Sequence, residues 1–174
     1  MEIVDVFTAK QADQWCRRIQ NMERTQGRTF SGYHTHIRNS SVIWYEPDTA
    51  RTRQNNRISE RDSIWKVGER AGIEFDWIST PWQFAVYNPG EYYDWHTDHF
   101  EVRKSSQRTR TLVVELQSAP SAGIEFDNTG PVDLKPGQGI LFDSTVPHRA
   151  LPPLEGTRIS LTVWFMRRAW AQVE

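Results

Sequence analysis

Cysteine is nearly absent: Cys16 is the only one in 174 residues. One thiol excludes an internal disulfide framework and a multi-cysteine zinc site, and it suits a reducing compartment. Long apolar runs are missing as well. No stretch approaches membrane-spanning length, and the opening MEIVDVF has neither the basic region nor the apolar run of a signal peptide, so a cytoplasmic location with no membrane partner is expected. The chain also lacks an excess of charge of either sign, with 21 Lys and Arg against 22 Asp and Glu for a net charge of −1. A polyanion would then need a local basic patch. The mildly basic stretches RTRQNNR (51–57) and VRKSSQRTR (102–110) read as solvated loops or lids, so nucleic acid is not the expected partner.

What is present fits one soluble domain over residues 1–174. Thr8 and Gln11 form a capping-box pattern ahead of AKQADQWCRRIQNM, where Ala12, Trp15, Cys16, Ile19 and Met22 share one helical face. Cys16 lies on that apolar stripe and reads as a small core residue. Residues 30–45 look extended, and Ile64, Val67 and Ala71 give helical spacing before Gly72. From Pro81 the texture changes to short β-rich runs between turns, among them WQFAVY, TLVVEL, GIEF, ILF and RISLTVWF. The expected class is mainly β (α+β), an antiparallel sandwich or jelly roll at about 81–170 with a helical buttress at about 1–80.

Residues 92–100, YYDWHTDHF, crowd two histidines and two aspartates together. On a strand, residues two apart share a face, so His96 and Asp98 converge while His99 turns away. Two histidines and a carboxylate make the facial triad that leaves open positions on non-haem Fe(II). The third ligand must come from His34, His36, His99 or His148. His148 follows an apolar strand and a VPH turn and is the best placed, whereas His34 and His36 in GYHTHIR lack a neighbouring carboxylate. Arg158 and Ser160 share a face of RISLTVWF and form a socket for a carboxylate, the alternative being a structural salt bridge from Arg158 to Glu115.

YNPGEYYDWHTDH, FDSTVPHR and GTRISLTVWF together resemble the Fe(II)- and 2-oxoglutarate-dependent dioxygenases of the prolyl 4-hydroxylase-like group, over residues 82–166. The resemblance implies a double-stranded β-helix (jelly-roll, cupin-like) with N-terminal helices packed on the major sheet. It implies Fe(II) held by His96, Asp98 and His148, and 2-oxoglutarate held by Arg158 with Ser160 beside it. Tyr87 occupies the place of a tyrosine that hydrogen-bonds the cosubstrate, with Tyr93 as a second, weaker candidate; the alternative for both is a core aromatic, which is the favoured reading for Tyr93. The implied cosubstrates are 2-oxoglutarate and O₂, with ascorbate as a stimulant, and the implied reaction is hydroxylation of a peptide, protein or amino-acid side chain, proline first, yielding succinate and CO₂. Two departures stand out: SAGIEFD at 121–127 replaces a Gly-Gly-Glu-Thr run, and Glu115 replaces an aromatic of the cosubstrate pocket. The competing readings are an oxidative nucleic-acid demethylase of the same fold and a non-catalytic jelly roll that binds a metal or small acid. FEVRKSSQR and EPDTARTRQNN are the expected lids.

Overall fold

Thr8 opens the first helix by the reciprocal bonding that its sequence predicts. Its hydroxyl accepts from the Gln11 amide at 3.3 Å, and the Gln11 side chain accepts from the Thr8 amide at 2.8 Å. The structure, a computed structural model, describes residues 1–28, 36–47, 60–79, 81–99, 101–103 and 106–168. Helix α1 spans Ala9–Ile19 and buries Ala12, Trp15, Cys16 and Ile19. It stops three residues short of the periodic pattern because the Met22 amide bonds the Ile19 carbonyl, closing a tight final turn. Burial, reinforced by Asp13, pushes the Cys16 thiol up to about 11, so it stays a neutral core group at physiological pH. Helix α2 spans Glu60–Arg70 and buries Ile64 and Val67. Gly72, at φ +63°, ends it, and the Ile73 amide reaches back to the Gly68 carbonyl.

The strands are β1 (Glu2–Asp5), β2 (Thr25–Gln26), β3 (Arg38–Asn39), β4 (Ser41–Tyr45), β5 (Trp77–Ile78), β6 (Trp82–Tyr87), β7 (Tyr92–His96), β8 (Glu101–Arg103), β9 (Ser106–Gln117), β10 (Gly123–Phe126), β11 (Gly130–Val132), β12 (Gln138–Asp143), β13 (His148–Leu151) and β14 (Arg158–Arg168). The larger sheet runs β1-β12-β9-β14-β6-β4-β2, with β5 on β14 and β8 on β9; the smaller runs β11-β10-β13-β7-β3. The strand pairs are antiparallel, and the two sheets form the expected jelly roll. The runs WQFAVY, TLVVEL, GIEF, ILF and RISLTVWF are strands, whereas NPGEYY, also read as β-rich, is a turn at 88–91 closed by the Glu91 amide on the Asn88 carbonyl, with β7 beginning at Tyr92. Residues 38–39 and 41–45 are extended as expected, whereas 30–35, including His34, lie outside the described residues. So do 48–56 of the first expected lid and Phe100, Lys104 and Ser105 of the second.

Alternation divides the larger sheet into two chemistries. Leu112, Val114 and Leu116 on β9, Leu161 and Val163 on β14, and Phe84 and Val86 on β6 pack with Trp15 and Ile19 of α1 in one apolar cluster. Their neighbours one residue along, among them Gln83, Tyr87, Val113, Arg158, Ser160 and Thr162, line a cavity between the sheets. The N-terminal strand is pinned at Gly137, whose carbonyl accepts from the Val6 and Phe7 amides. Gly137 sits at φ +93°, and a Cβ there would come within 2.2 Å of the Phe7 carbonyl oxygen. Gly137→Ala is therefore expected to cost about 2 kcal/mol or more, read as a lower urea midpoint at unchanged slope.

Candidate metal centre

Strands β7 and β13 lie side by side with His96 directly opposite His148. Their ring centroids are 4.2 Å apart. Asp98 joins them by a route that strand parity does not describe: β7 ends at His96, and Asp98 lies in the segment beyond it. There the Asp98 and His99 amides both donate to the Ser144 carbonyl, at 2.9 and 2.8 Å, and this turns the Asp98 side chain inward. Asp98 Oδ2 lies 3.6 Å from His148 Nε2, and Asp98 Oδ1 lies 3.9 Å from His96 Nε2. One donor atom from each residue falls within 4.8 Å of the others.

The donor chemistry fits a divalent metal such as Fe(II). His96 Nδ1 bonds the Asp94 carbonyl at 2.7 Å, and His148 Nδ1 bonds the Val146 carbonyl at 3.0 Å. Each ring then carries its proton on Nδ1 and presents the Nε2 lone pair to the shared space. Burial, with His148 alongside, lowers His96 to about 4, so its imidazole is neutral and available at pH 7. Burial opposes ionisation of Asp98, but His148, His96 and Arg108 outweigh it and hold the carboxyl below its usual range. Thr111 donates its hydroxyl to Asp98 Oδ2 at 3.0 Å and bonds Ser144 Oγ at 3.0 Å. Losing such an outer partner typically costs 10- to 100-fold in metal affinity, so Thr111→Val is expected to weaken Mn(II) binding by about that factor in a calorimetric titration while the fold persists.

The other sequence candidates separate cleanly. His99 is exposed and bonds the Arg108 carbonyl at 3.1 Å through Nδ1, away from the donor cluster. His36 is exposed in a turn ahead of β3. Tyr93 is stacked on His96, with centroids 3.5 Å apart and planes 10° from parallel, and burial pushes its hydroxyl up to about 12. Tyr87 is buried opposite Arg158 on β14, whose guanidinium lies 5.5 Å from its ring centroid.

Arg158 is 1% exposed and makes the salt bridge to Glu115 that is the alternative to a carboxylate socket. It lines the cavity, and it grips Glu115 with Nε at 3.1 and 3.2 Å and Nη2 at 2.8 Å. Ser160 lies across from Glu115 in the β14–β9 register. Two participants escaped the sequence reading. Thr111 could have been found from the alternation of β9, because it falls on the Val113 and Glu115 face. Arg38 is 3% exposed, bonds Ser40 at 3.0 Å and Gln83 at 2.9 Å, and places its guanidinium 4.4 Å from the Tyr93 ring centroid. Its one sequence signal was an arginine inside an otherwise extended run. The cavity between these groups measures about 240 Å³, and Val113, Ile124 and Ala150 supply part of its apolar wall.

Comparison with known proteins agrees with this geometry. Residues 82–166 match the family model of the 2OG-Fe(II) oxygenase superfamily. Among solved structures, a Pseudomonas putida prolyl-4-hydroxylase is similar, at a TM-score of 0.70 and 25% identity over 97% of this chain and 92% of that one. The viral collagen prolyl hydroxylase of Paramecium Bursaria Chlorella virus-1, in its 2OG complex, aligns at a TM-score of 0.67 and 20% identity over 95% of each chain. A prolyl hydroxylase from Trichoplax adhaerens, in complex with a hypoxia inducible factor oxygen degradation domain peptide fragment, aligns at 0.64 and 16% identity over 94% of this chain and 82% of that one. No curated protein matches the sequence.

Proposed function

Since the chain belongs to the 2OG-Fe(II) oxygenase superfamily through residues 82–166, and is a dioxygenase using Fe(II), 2-oxoglutarate and O₂, we propose that it is a single catalytic domain that hydroxylates a peptidyl or amino-acid side chain in the manner of a prolyl hydroxylase. The observation that carries this reading is the convergence of His96, Asp98 and His148 beside a cavity that has Arg158 in its wall. A peptide substrate is supported by the solved relative that holds a peptide fragment.

His96 and His148 would bind the iron through Nε2 and Asp98 through one carboxylate oxygen, leaving the remaining positions for the cosubstrate and O₂. When bound, the iron and its cosubstrates supply the oxidising chemistry, in which 2-oxoglutarate ends as succinate and CO₂ and the substrate gains a hydroxyl. The protein's own part is positional. Carbonyls of Asp94 and Val146 fix the two imidazole tautomers, and Thr111 holds Asp98. Arg158 would take the distal carboxylate of 2-oxoglutarate, with Ser160 and Tyr87 as neighbouring hydroxyl partners. Val113 and Ile124 exclude water from the reacting centre.

The test is spectroscopic first. Anaerobic addition of Fe(II) and 2-oxoglutarate should give the weak visible charge-transfer band of a chelated 2-oxoacid, and a binding-only jelly roll would give none. Mass spectrometry of a proline-containing peptide library, incubated with iron, 2-oxoglutarate and ascorbate, should then show a gain of one oxygen on a peptide. Modification of a methylated oligonucleotide in its place would move the substrate to nucleic acid.

A further inference from the structure

Glu115 sits where it ought to interfere. If Arg158 anchors the distal carboxylate of 2-oxoglutarate, as proposed above, that anion must bind a guanidinium already held in a bidentate grip by a second carboxylate. Both partners are buried, with side chains 2% and 5% exposed. Arg158 spends Nε and Nη2 on Glu115, and among the described residues no bond engages Nη1, which is the edge left for a ligand in the cavity that Arg158 lines. The guanidinium and Glu115 are together neutral before anything binds. At that guanidinium an incoming carboxylate would set two negative charges against one positive charge beside the buried Glu115, and two close carboxylates under those conditions retain a proton instead of both ionising.

We infer that Glu115 makes cosubstrate binding proton-coupled: each 2-oxoglutarate that docks on Arg158 brings one proton from solvent, which is taken up by the carboxylate of Glu115. The surroundings favour this. Burial raises the Glu115 carboxyl above its ordinary value against the opposing pull of Arg158, and Asp133, on the loop after β11, raises it further. On β14 the residue opposite is Ser160, an uncharged hydroxyl; across the sheet in α1, Cys16 is a neutral thiol. Of the other arginines that line the cavity, Arg38 is engaged by Ser40 and Gln83, Arg149 by Glu125 and Arg108 by the Trp164 ring, so among the described residues Arg158 is the one cation bonded to Glu115, and it cannot neutralise two anions. The sign of the linkage follows directly. At a pH between the Glu115 pKa of the free protein and that of the complex, binding takes up a proton, so each unit rise in pH weakens it by up to about tenfold.

The experiment is calorimetric titration of 2-oxoglutarate into the full chain saturated with Mn(II), at several pH values and in buffers of different ionisation enthalpy. Wild type is expected to take up close to one proton per cosubstrate and to lose affinity as pH rises. Glu115→Gln is expected to take up none, to bind with a flat pH profile, and to be about tenfold tighter than wild type at the alkaline end. Titration with 2-oxopentanoate, which keeps the oxoacid end and lacks the distal carboxylate, should show no uptake, and this arm needs only the wild-type protein. Zero uptake with 2-oxoglutarate, or uptake that survives Glu115→Gln, overturns the inference while leaving Arg158 as the anchor. Equal affinities for 2-oxoglutarate and 2-oxopentanoate would instead overturn the Arg158 assignment, and the proton coupling with it.

Discussion

His148→Ala is expected to reduce 2-oxoglutarate turnover to background, whereas His99→Ala keeps most of it. The argument rests on what each ring faces. His148 is 4% exposed, lies edge-on to Phe142 at 4.7 Å, and points Nε2 at Asp98. Its loss removes one of three donors and leaves Asp98 and His96 to hold the metal alone. Removing an outer partner of a metal ligand already costs about 10- to 100-fold, so deleting a ligand should exceed a hundredfold in metal affinity, with catalysis falling at least in step. His99 bonds a carbonyl on the solvent side and contributes no donor to the cluster. Succinate release and Mn(II) titration on the two variants check this; equal losses would sink the ligand assignment.

The second large effect is on stability. Arg158→Ala leaves Glu115 buried without the cation that grips it, and breaking such a pair from one side typically costs about 3 to 5 kcal/mol. Because that penalty belongs to the stranded carboxylate, Arg158→Met combined with Glu115→Leu should recover most of it, since an apolar pair of similar volume is often neutral relative to the ion pair. Urea unfolding of the single and double variants separates the cases. A double variant as unstable as Arg158→Ala would mean that the cost lies in lost packing and not in the orphaned charge. Both variants should lose 2-oxoglutarate binding alike.

Much of this was legible in the sequence, for a definable reason. Period-two alternation in WQFAVY, TLVVEL and RISLTVWF names the strands, and strand parity at His96 and Asp98 with the place of His148 after an apolar strand and a VPH turn names the three candidate donors that the structure brings together. The convergence of His96 with Asp98 was anticipated for a reason that proves incomplete, because the strand stops at His96 and Ser144, on the turn before β13, finishes the work. A contact between segments so distant in the chain leaves no local pattern. The same holds for Arg38: its partners Gln83 and Tyr93 lie on β6 and β7, and pairing across sheets is decided by topology, not by composition. Glu115 was visible as a departure from the family pattern, and its bidentate hold on Arg158 depends on the β9–β14 register, which shifts between Ile159 and Ser160.

Strand β14 carries the apolar cluster on one face and Arg158, Ser160 and Thr162 on the other, with Arg158 through Met166 all buried. A slip of one residue against its neighbours would exchange the faces, driving the guanidinium into the core and Ile159 into the site. Catalytic competence and global folding thus hang on the same backbone hydrogen bonds. In amide-exchange terms, the protons of 159–165 should be released only when the whole molecule opens, so this site has no private route to disorder and ages at the rate at which the protein itself unfolds.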